Sequence, residues 1–194
     1  MYLSEIVISK DKTKARVFLD TLKGQTIKFD PGLNFLVGEN GVGKSSILST
    51  LSNCAGDIKP LDLQYKIVGK GKLSTYFFDT EKMNPRVKGR IDTELDIISR
   101  FKSHGQCLFQ YMQMLEQILK EPDHTRLVLV DEPESGISPW NQVKIRDIFA
   151  KVSEHQQLIV ATHSTILTQA STGTVIYLGK KTVYCTPASK FKWF

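Results

Sequence analysis

The chain has 194 residues, 41% of them hydrophobic, which is enough for one well-buried core and short for two, so a single domain over 1–194 is expected. No apolar run approaches the roughly 20 residues needed to span a bilayer, and Met1-Tyr2-Leu3-Ser4-Glu5 lacks the basic start and long apolar stretch of a signal peptide. A soluble, cytoplasmic protein is therefore expected. The net charge of +6 is uneven, with seven Lys or Arg against two acids from Lys66 to Arg90, a segment that could attract an anionic partner such as DNA.

The first 37 residues read as short strands: Tyr2 to Ser9, Ala15 to Leu19, Gln25 to Phe29 and Asn34 to Val37, punctuated by Lys23-Gly24 and Asp30-Pro31-Gly32. After Ser45 a helix is expected, with Ile47, Leu48, Leu51 and Ala55 on one face and a stop at Gly56-Asp57. Residues 58–90 are the least readable part, with candidate strands at Gln64 to Val68 and Leu73 to Phe78 and a turn at Asn84-Pro85, and 58–107 is expected to form a small subdomain that bears the Ser103 motif. From Leu108, the apolar positions Tyr111, Met112, Leu115, Ile118 and Leu119 have helical spacing, ending near Glu121-Pro122.

A buried strand, Arg126 to Val130, follows, then a helix from Pro139 to about Ser153, an apolar strand Leu158 to Ala161, and a helix opened by Ser164. Thr174 to Leu178 and Thr182 to Cys185 read as a hairpin around Gly179-Lys180. Alternating strands and helices after a strand-rich start predict an α/β fold with a mainly parallel sheet and an antiparallel β flank. Cys54, Cys107 and Cys185 match neither a zinc spacing nor an even disulfide framework, so each is expected to serve packing in a reducing compartment.

Gly38-Glu39-Asn40-Gly41-Val42-Gly43-Lys44-Ser45, followed by Ser46, satisfies the full phosphate-loop pattern and lies between an apolar strand and a helix, as that pattern requires. Its glycines let successive backbone N–H groups curl inward onto phosphates. Lys44 supplies a point charge to the terminal phosphates, the Ser45 hydroxyl can ligate magnesium, and the helix directs its positive end at the anion. At average residue frequencies, the four fixed positions would arise by chance in a chain this long less than about once in a hundred.

Leu127-Val128-Leu129-Val130-Asp131-Glu132 is an apolar strand ending in two acids, which places both carboxylates at the carboxyl edge of the sheet. Asp131 can hold magnesium, directly or through water, while Glu132, on the opposite side of the pleat, can orient or deprotonate an attacking water. An isolated acid pair is often only a helix cap; the phosphate loop is what turns this one toward catalysis.

Ser103-His104-Gly105-Gln106 fits a capping box, which would make it a well-capped helix start and nothing more. It is also a ready anion site. His163, flanked by Thr162 and Ser164 at the end of the strand Leu158 to Ala161, is placed to contact a terminal phosphate.

In this order these stretches resemble the ABC-type ATPases: Walker A at 38–45, signature at 103–106, Walker B at 127–132, D-loop at Ser135-Gly136-Ile137-Ser138 and H-loop at His163. The resemblance implies a P-loop NTPase fold that binds ATP and Mg2+ and hydrolyses ATP. It implies that Lys44 and Ser45 bind phosphate and magnesium, that Asp131 assists the metal, that Glu132 is the catalytic base and that His163 senses the γ-phosphate. It further implies that Ser103, Gly105 and Gln106 complete the site of a second copy, so that two chains sandwich two ATP molecules head to tail.

Pro31-Gly32-Leu33-Asn34, Ser-His-Gly-Gln in place of Leu-Ser-Gly-Gly-Gln, and Ala-Thr-His-Ser around His163 resemble the SMC-like and RecF-like branch rather than transporters. Only 58 residues separate Lys44 from Ser103, which leaves no room for a long coiled coil, so the chain looks like a bare head domain. Two family features are not evident. Asp79 or Glu81 would stand near the Q-loop glutamine, and Lys14 or Arg16 would meet the adenine.

The leading expectation is an ATPase whose ATP-dependent homodimerisation switches an unidentified effector protein, in DNA repair or phage defence. The alternative is the ATP-binding subunit of a membrane transporter, although the Q-loop and docking subdomain of such subunits are not obvious here. A nonhydrolytic ATP sensor is disfavoured by Glu132, and a nucleotide kinase would not need the Ser103 motif, the D-loop and His163 together.

Overall fold

The computed structural model describes residues 2–8, 22–52, 63–69, 73–80, 104–120, 126–153, 155–170, 172–179 and 182–193, with the side chains of 63 and 104–111 excepted. The expected strand Ala15 to Leu19, the helix stop at Gly56-Asp57, the turn at Asn84-Pro85, and Lys14, Arg16, Cys54, Glu81 and Ser103 lie outside the described residues. So do the side chains of Gln106 and Cys107.

Nine strands and three helices run in the order β1 (Tyr2–Ile8), β2 (Thr26–Lys28), β3 (Gly32–Gly38), α1 (Lys44–Ser52), β4 (Leu63–Val68), β5 (Ser74–Asp79), α2 (His104–Lys120), β6 (Arg126–Asp131), α3 (Pro139–Phe149), β7 (Gln157–Ala161), β8 (Thr174–Gly179) and β9 (Thr182–Pro187) among the described residues. A six-stranded sheet has the order β5-β6-β7-β3-β8-β9, and a three-stranded sheet the order β2-β1-β4. Within the larger sheet all neighbours are parallel except β8 and β9, while the small sheet is antiparallel. This is the expected α/β architecture with its antiparallel flank. β4 pairs with β1 and β5 with β6, so the described strands of 58–107 join the two sheets.

The central strands β3, β6 and β7 read as nearly continuous apolar runs because both of their faces are covered. Leu36, Leu127, Leu129, Ile159, Ala161, Ile176 and Leu178 face one core with Ile47, Leu48 and Leu51 of α1 and with Leu3, Ile6 and Ile27 of the small sheet. Their alternates, Leu33, Phe35, Val37, Val128, Val130, Leu158, Val160 and Val175, face a second core with Met112 and Leu115 of α2 and Ile145, Ile148 and Phe149 of α3. The period-two pleat thus builds a three-layered domain.

The small sheet is joined to the large one by Gln157, whose side chain is fully buried. Its amide oxygen accepts the Leu3 N–H at 2.8 Å, and its nitrogen donates to Leu3 O at 2.8 Å and Asp30 O at 3.1 Å. The β1 register slips between Leu3 and Glu5, and Gln157 satisfies the backbone groups at that irregularity, as burial demands.

Three expectations are corrected. No full helix follows Ser164; its hydroxyl caps the start, accepting the N–H groups of Ile166 and Leu167, both at 3.2 Å, but the segment stops after a short 3₁₀ turn, Leu167–Gln169, because Ala170 is already extended, with ψ 146. The helix from Pro139 ends at Phe149 rather than near Ser153. Cys185 is exposed rather than packed, since β9 is the edge strand of the sheet. No described helix is long and apolar enough to cross a membrane.

Candidate active site

Register places the site. Leu36 pairs with Ala161 and Gly38 with Leu178, while Asp131 pairs with both Ala161 and Asp79. The carboxyl ends of β3, β5, β6 and β7 therefore form one edge, the position at which parallel α/β sheets bind ligands.

In the turn from β3 to α1 two positions call for glycine, each for a different reason. A Cβ on Gly38 would lie 2.2 Å from the Leu178 carbonyl oxygen. Gly41 is open to space but has φ +76, a left-handed conformation that favours glycine. The Lys44 side chain is buried and folds back, its Nζ donating to Gly38 O at 3.0 Å and Glu39 O at 3.1 Å. Two of the three ammonium N–H bonds thus go to loop carbonyls, which leaves one for an anion. Burial lowers its pKa from the ordinary lysine value, against the opposing pull of Glu132, Asp131 and Glu134.

Ser45 Oγ donates to Asp131 Oδ1 at 3.0 Å. Asp131 is only 8% exposed, and its carboxyl is pushed up to about 6, chiefly by burial, with Glu132 and Asp79 adding repulsion and the Ser45 hydrogen bond and Lys44 opposing it. A desolvated carboxylate among other acids is a place that favours a cation. Among the described residues no three His, Cys, Asp or Glu side chains converge as a ready metal site. The Ser45–Asp131 pair offers the one or two protein oxygens that magnesium takes, the remaining ligands being drawn from phosphates and water. Ser45 and Asp131 are the residues that would hold it.

Glu132 is off the strand and half-exposed, and its φ of 47 is the only positive value at a described non-glycine residue. The alternation expected to carry it to the other side of the pleat does not apply, because β6 ends at Asp131. Such a conformation costs on the order of 1–3 kcal/mol and persists where its surroundings over-determine it. Here Glu132 N–H donates to Ala161 O at 2.9 Å, Ser135 N–H to Glu132 O at 3.0 Å, and the Thr80 hydroxyl to the carbonyls of Asp131 at 2.9 Å and Glu132 at 3.1 Å. The clamp aims the Glu132 carboxylate across the edge, where Oε1 lies 3.9 Å from His163 Nε2.

Asn40, Gly41, Gly43, Lys44, Ser45, Ser46, Glu132 and His163 together line a cleft of about 280 Å³. Asp131 lies beneath it, bonded to Ser45. Val42 is buried in the α1 core and its N–H is turned toward Glu39 O at 3.4 Å, so it shapes the loop. For the signature stretch, α2 begins at His104, which puts Gly105 and Gln106 in its first turn. Asp79 stands beside Asp131 in register. Thr80 and Glu134 join the site without having been expected there; the only signals for them were Thr80 following a strand-end acid and Glu134 following Asp131-Glu132-Pro133.

Two family models match the chain: an AAA domain over residues 16–88, and an AAA domain described as a putative AbiEii toxin of a type IV TA system over residues 115–168. The first contains the phosphate loop, the second the acid pair and His163. Among solved structures, the SMC head domain from Thermotoga maritima is similar with a TM-score of 0.54 and 14% identity, over 96% of this chain and 99% of that one. The ATP-binding cassette MJ0796, in a dimeric post-hydrolysis state bound to ADP and Pi, is similar with a TM-score of 0.56 and 16% identity, over 88% and 92% of the two chains. At these identities the likeness is one of fold. No curated protein matches.

In fold, the chain is similar to the SMC head and to the ATP-binding cassette. The two AAA domain models fall on its phosphate loop and on its strand-edge acids with His163.

Proposed function

We propose that the chain hydrolyses ATP with magnesium and that ATP draws two copies together head to tail. The observation that carries the reading is the cleft in which Lys44, Ser45, Glu132 and His163 meet above Asp131. Loop N–H groups and Lys44 hold the phosphates, and the Ser45–Asp131 pair holds the metal. Magnesium, when bound, supplies positive charge to the terminal phosphate oxygens. Glu132 orients a water and takes its proton, and His163 donates a hydrogen bond toward the oxygens on which charge develops. Ser103, Gly105 and Gln106 of one copy would close the site of the other, a role supported by the α2 amino terminus at His104.

The dimer's cycle would switch an effector protein. DNA repair and phage defence are both served by such an engine; the toxin description attached to the model matching residues 115–168 favours a toxin–antitoxin setting over repair. Glu132→Gln should trap an ATP-bound dimer, read as a doubling of mass by light scattering on addition of ATP and magnesium. A monomer throughout, alongside intact nucleotide binding, refutes the sandwich. Growth arrest on expression that disappears with Lys44→Ala supports the toxin setting; arrest that persists in that variant counts against it.

A further inference from the structure

Two loops leave the sheet edge side by side: 132–138 after β6, carrying Glu132, and 162–167 after β7, carrying His163. Two side chains brace them. Glu134 Oε1 accepts the main-chain N–H of His163 at 2.6 Å. Gln142, from α3, donates through Nε2 to Ile137 O at 3.0 Å and accepts the Ser164 hydroxyl at 2.7 Å. Ser164 Oγ in turn accepts the N–H groups of Ile166 and Leu167. On the other side, Thr162 N–H donates to Leu36 O at 3.1 Å, so the histidine loop is held from both flanks.

The Glu134 contact is short and ionic in kind, which makes it among the stronger bonds available to a peptide N–H. Its second oxygen, Oε2, is buried without a hydrogen-bond partner among the described residues. Glu134 as a whole is partly exposed, yet a buried oxygen left unsatisfied is costly, and the arrangement is accounted for if the bond at Oε1 serves the site. Ser135, Gly136 and Ser138, between the two braces, are exposed.

We propose that Glu134 is a positioning residue for ATP hydrolysis, its carboxylate fixing the His163 backbone so that the imidazole faces Glu132. The inference rests on the hydrolase reading of the cleft, deepening it by naming what orients the histidine. Gln142 supports the same loop one residue further on.

Glu134→Ala and Glu134→Gln, compared with the parent, Lys44→Ala and His163→Ala, test the proposal. Glutamine keeps the accepting oxygen at the same reach while removing the charge; alanine removes both. The expected result is a fall in kcat of about 10- to 100-fold for Glu134→Ala, the scale of a misplaced catalytic group, with the dissociation constant for a fluorescent ATP analogue within about threefold of the parent's. Glu134→Gln is expected to recover most of kcat. Amide exchange at residues 163–167 should quicken in Glu134→Ala and return to the parental rate in Glu134→Gln.

Unchanged exchange in Glu134→Ala overturns the brace, and a Glu134→Gln enzyme as slow as Glu134→Ala overturns the hydrogen bond as its basis. Loss of analogue binding in step with kcat assigns Glu134 to structure instead and likewise overturns the proposal. If phosphate release is equal in the parent and Lys44→Ala, the hydrolase reading fails, and Glu134 has no reaction to serve even where exchange shows that it holds the loop.

Discussion

Asp131→Asn should make the protein more stable while disabling the proposed metal site. The Asp131 carboxyl titrates near 6 in the folded protein against an ordinary 3.8, which corresponds to about 3 kcal/mol by which folding disfavours the charged form. The folded state therefore binds this proton more tightly than the unfolded chain. Stability from this group is greatest below about pH 4, where both states are protonated, and falls as pH rises through about 6. Asparagine has no charge to desolvate but accepts the Ser45 hydroxyl less strongly, a loss of about 1 kcal/mol. The net gain above pH 7, without nucleotide or metal, is about 1–2 kcal/mol, or a rise in Tm of about 2–8 °C for a chain of this size. Thermal melts of both proteins at pH 4 and pH 8 provide the assay, with the gap opening only at the higher pH. Equal destabilisation by Asp131→Asn at both values would refute the reasoning, since Asp131 would then matter chiefly as an acceptor for Ser45.

Three further outcomes follow from packing and backbone geometry. Gly38→Ala puts a methyl group 2.2 Å from Leu178 O and should lower unfolding stability by about 2–4 kcal/mol in urea titrations. Gln157→Leu strands the buried N–H and carbonyl of Leu3 and should cost a similar 2–4 kcal/mol or so, about the desolvation penalty of two unpaired groups, read from the same midpoint. Glu132→Gly relieves the backbone at φ 47 and should melt at or above the parental temperature, whereas phosphate release should be abolished; a Tm well below the parent's contradicts the strain.

How far the fold could be read in advance depended on how local its causes are. β3, β6 and β7 were legible because short apolar runs, Phe35 to Val37, Leu127 to Val130 and Leu158 to Ala161, close just before a glycine loop, an acid pair or a histidine, as buried parallel strands do. The phosphate loop was legible because its glycines and lysine answer a requirement spanning eight residues. Gln157 was not, because its amide is needed only when β1, more than 150 positions earlier, is laid against it. Glu134 and Gln142 were hidden for the same reason, each being a polar residue on a loop or helix whose partner sits on another element. The helix expected after Ser164 was right in its capped start and wrong in its length. Ile166, Leu167 and Ala170 have helical spacing and the serine hydroxyl caps the turn, but Ala170 is already extended and β8 begins at Thr174. Glu132 left the strand one residue sooner than alternation implied, since Thr80 and Ala161 hold its backbone in a turn.

The proposed catalysis, the proposed dimerisation and the catalytic service of Glu134 all require that the Lys44 ammonium and the loop around it take hold of a nucleotide's phosphates. Titrating a fluorescent ATP analogue, with magnesium, into the parent and Lys44→Ala tests this most directly. Saturable binding by the parent, weakened about 10- to 100-fold in the variant as befits the loss of a charged hydrogen bond, is the predicted result. Equal affinity in the two proteins, or no binding by either, would contradict it.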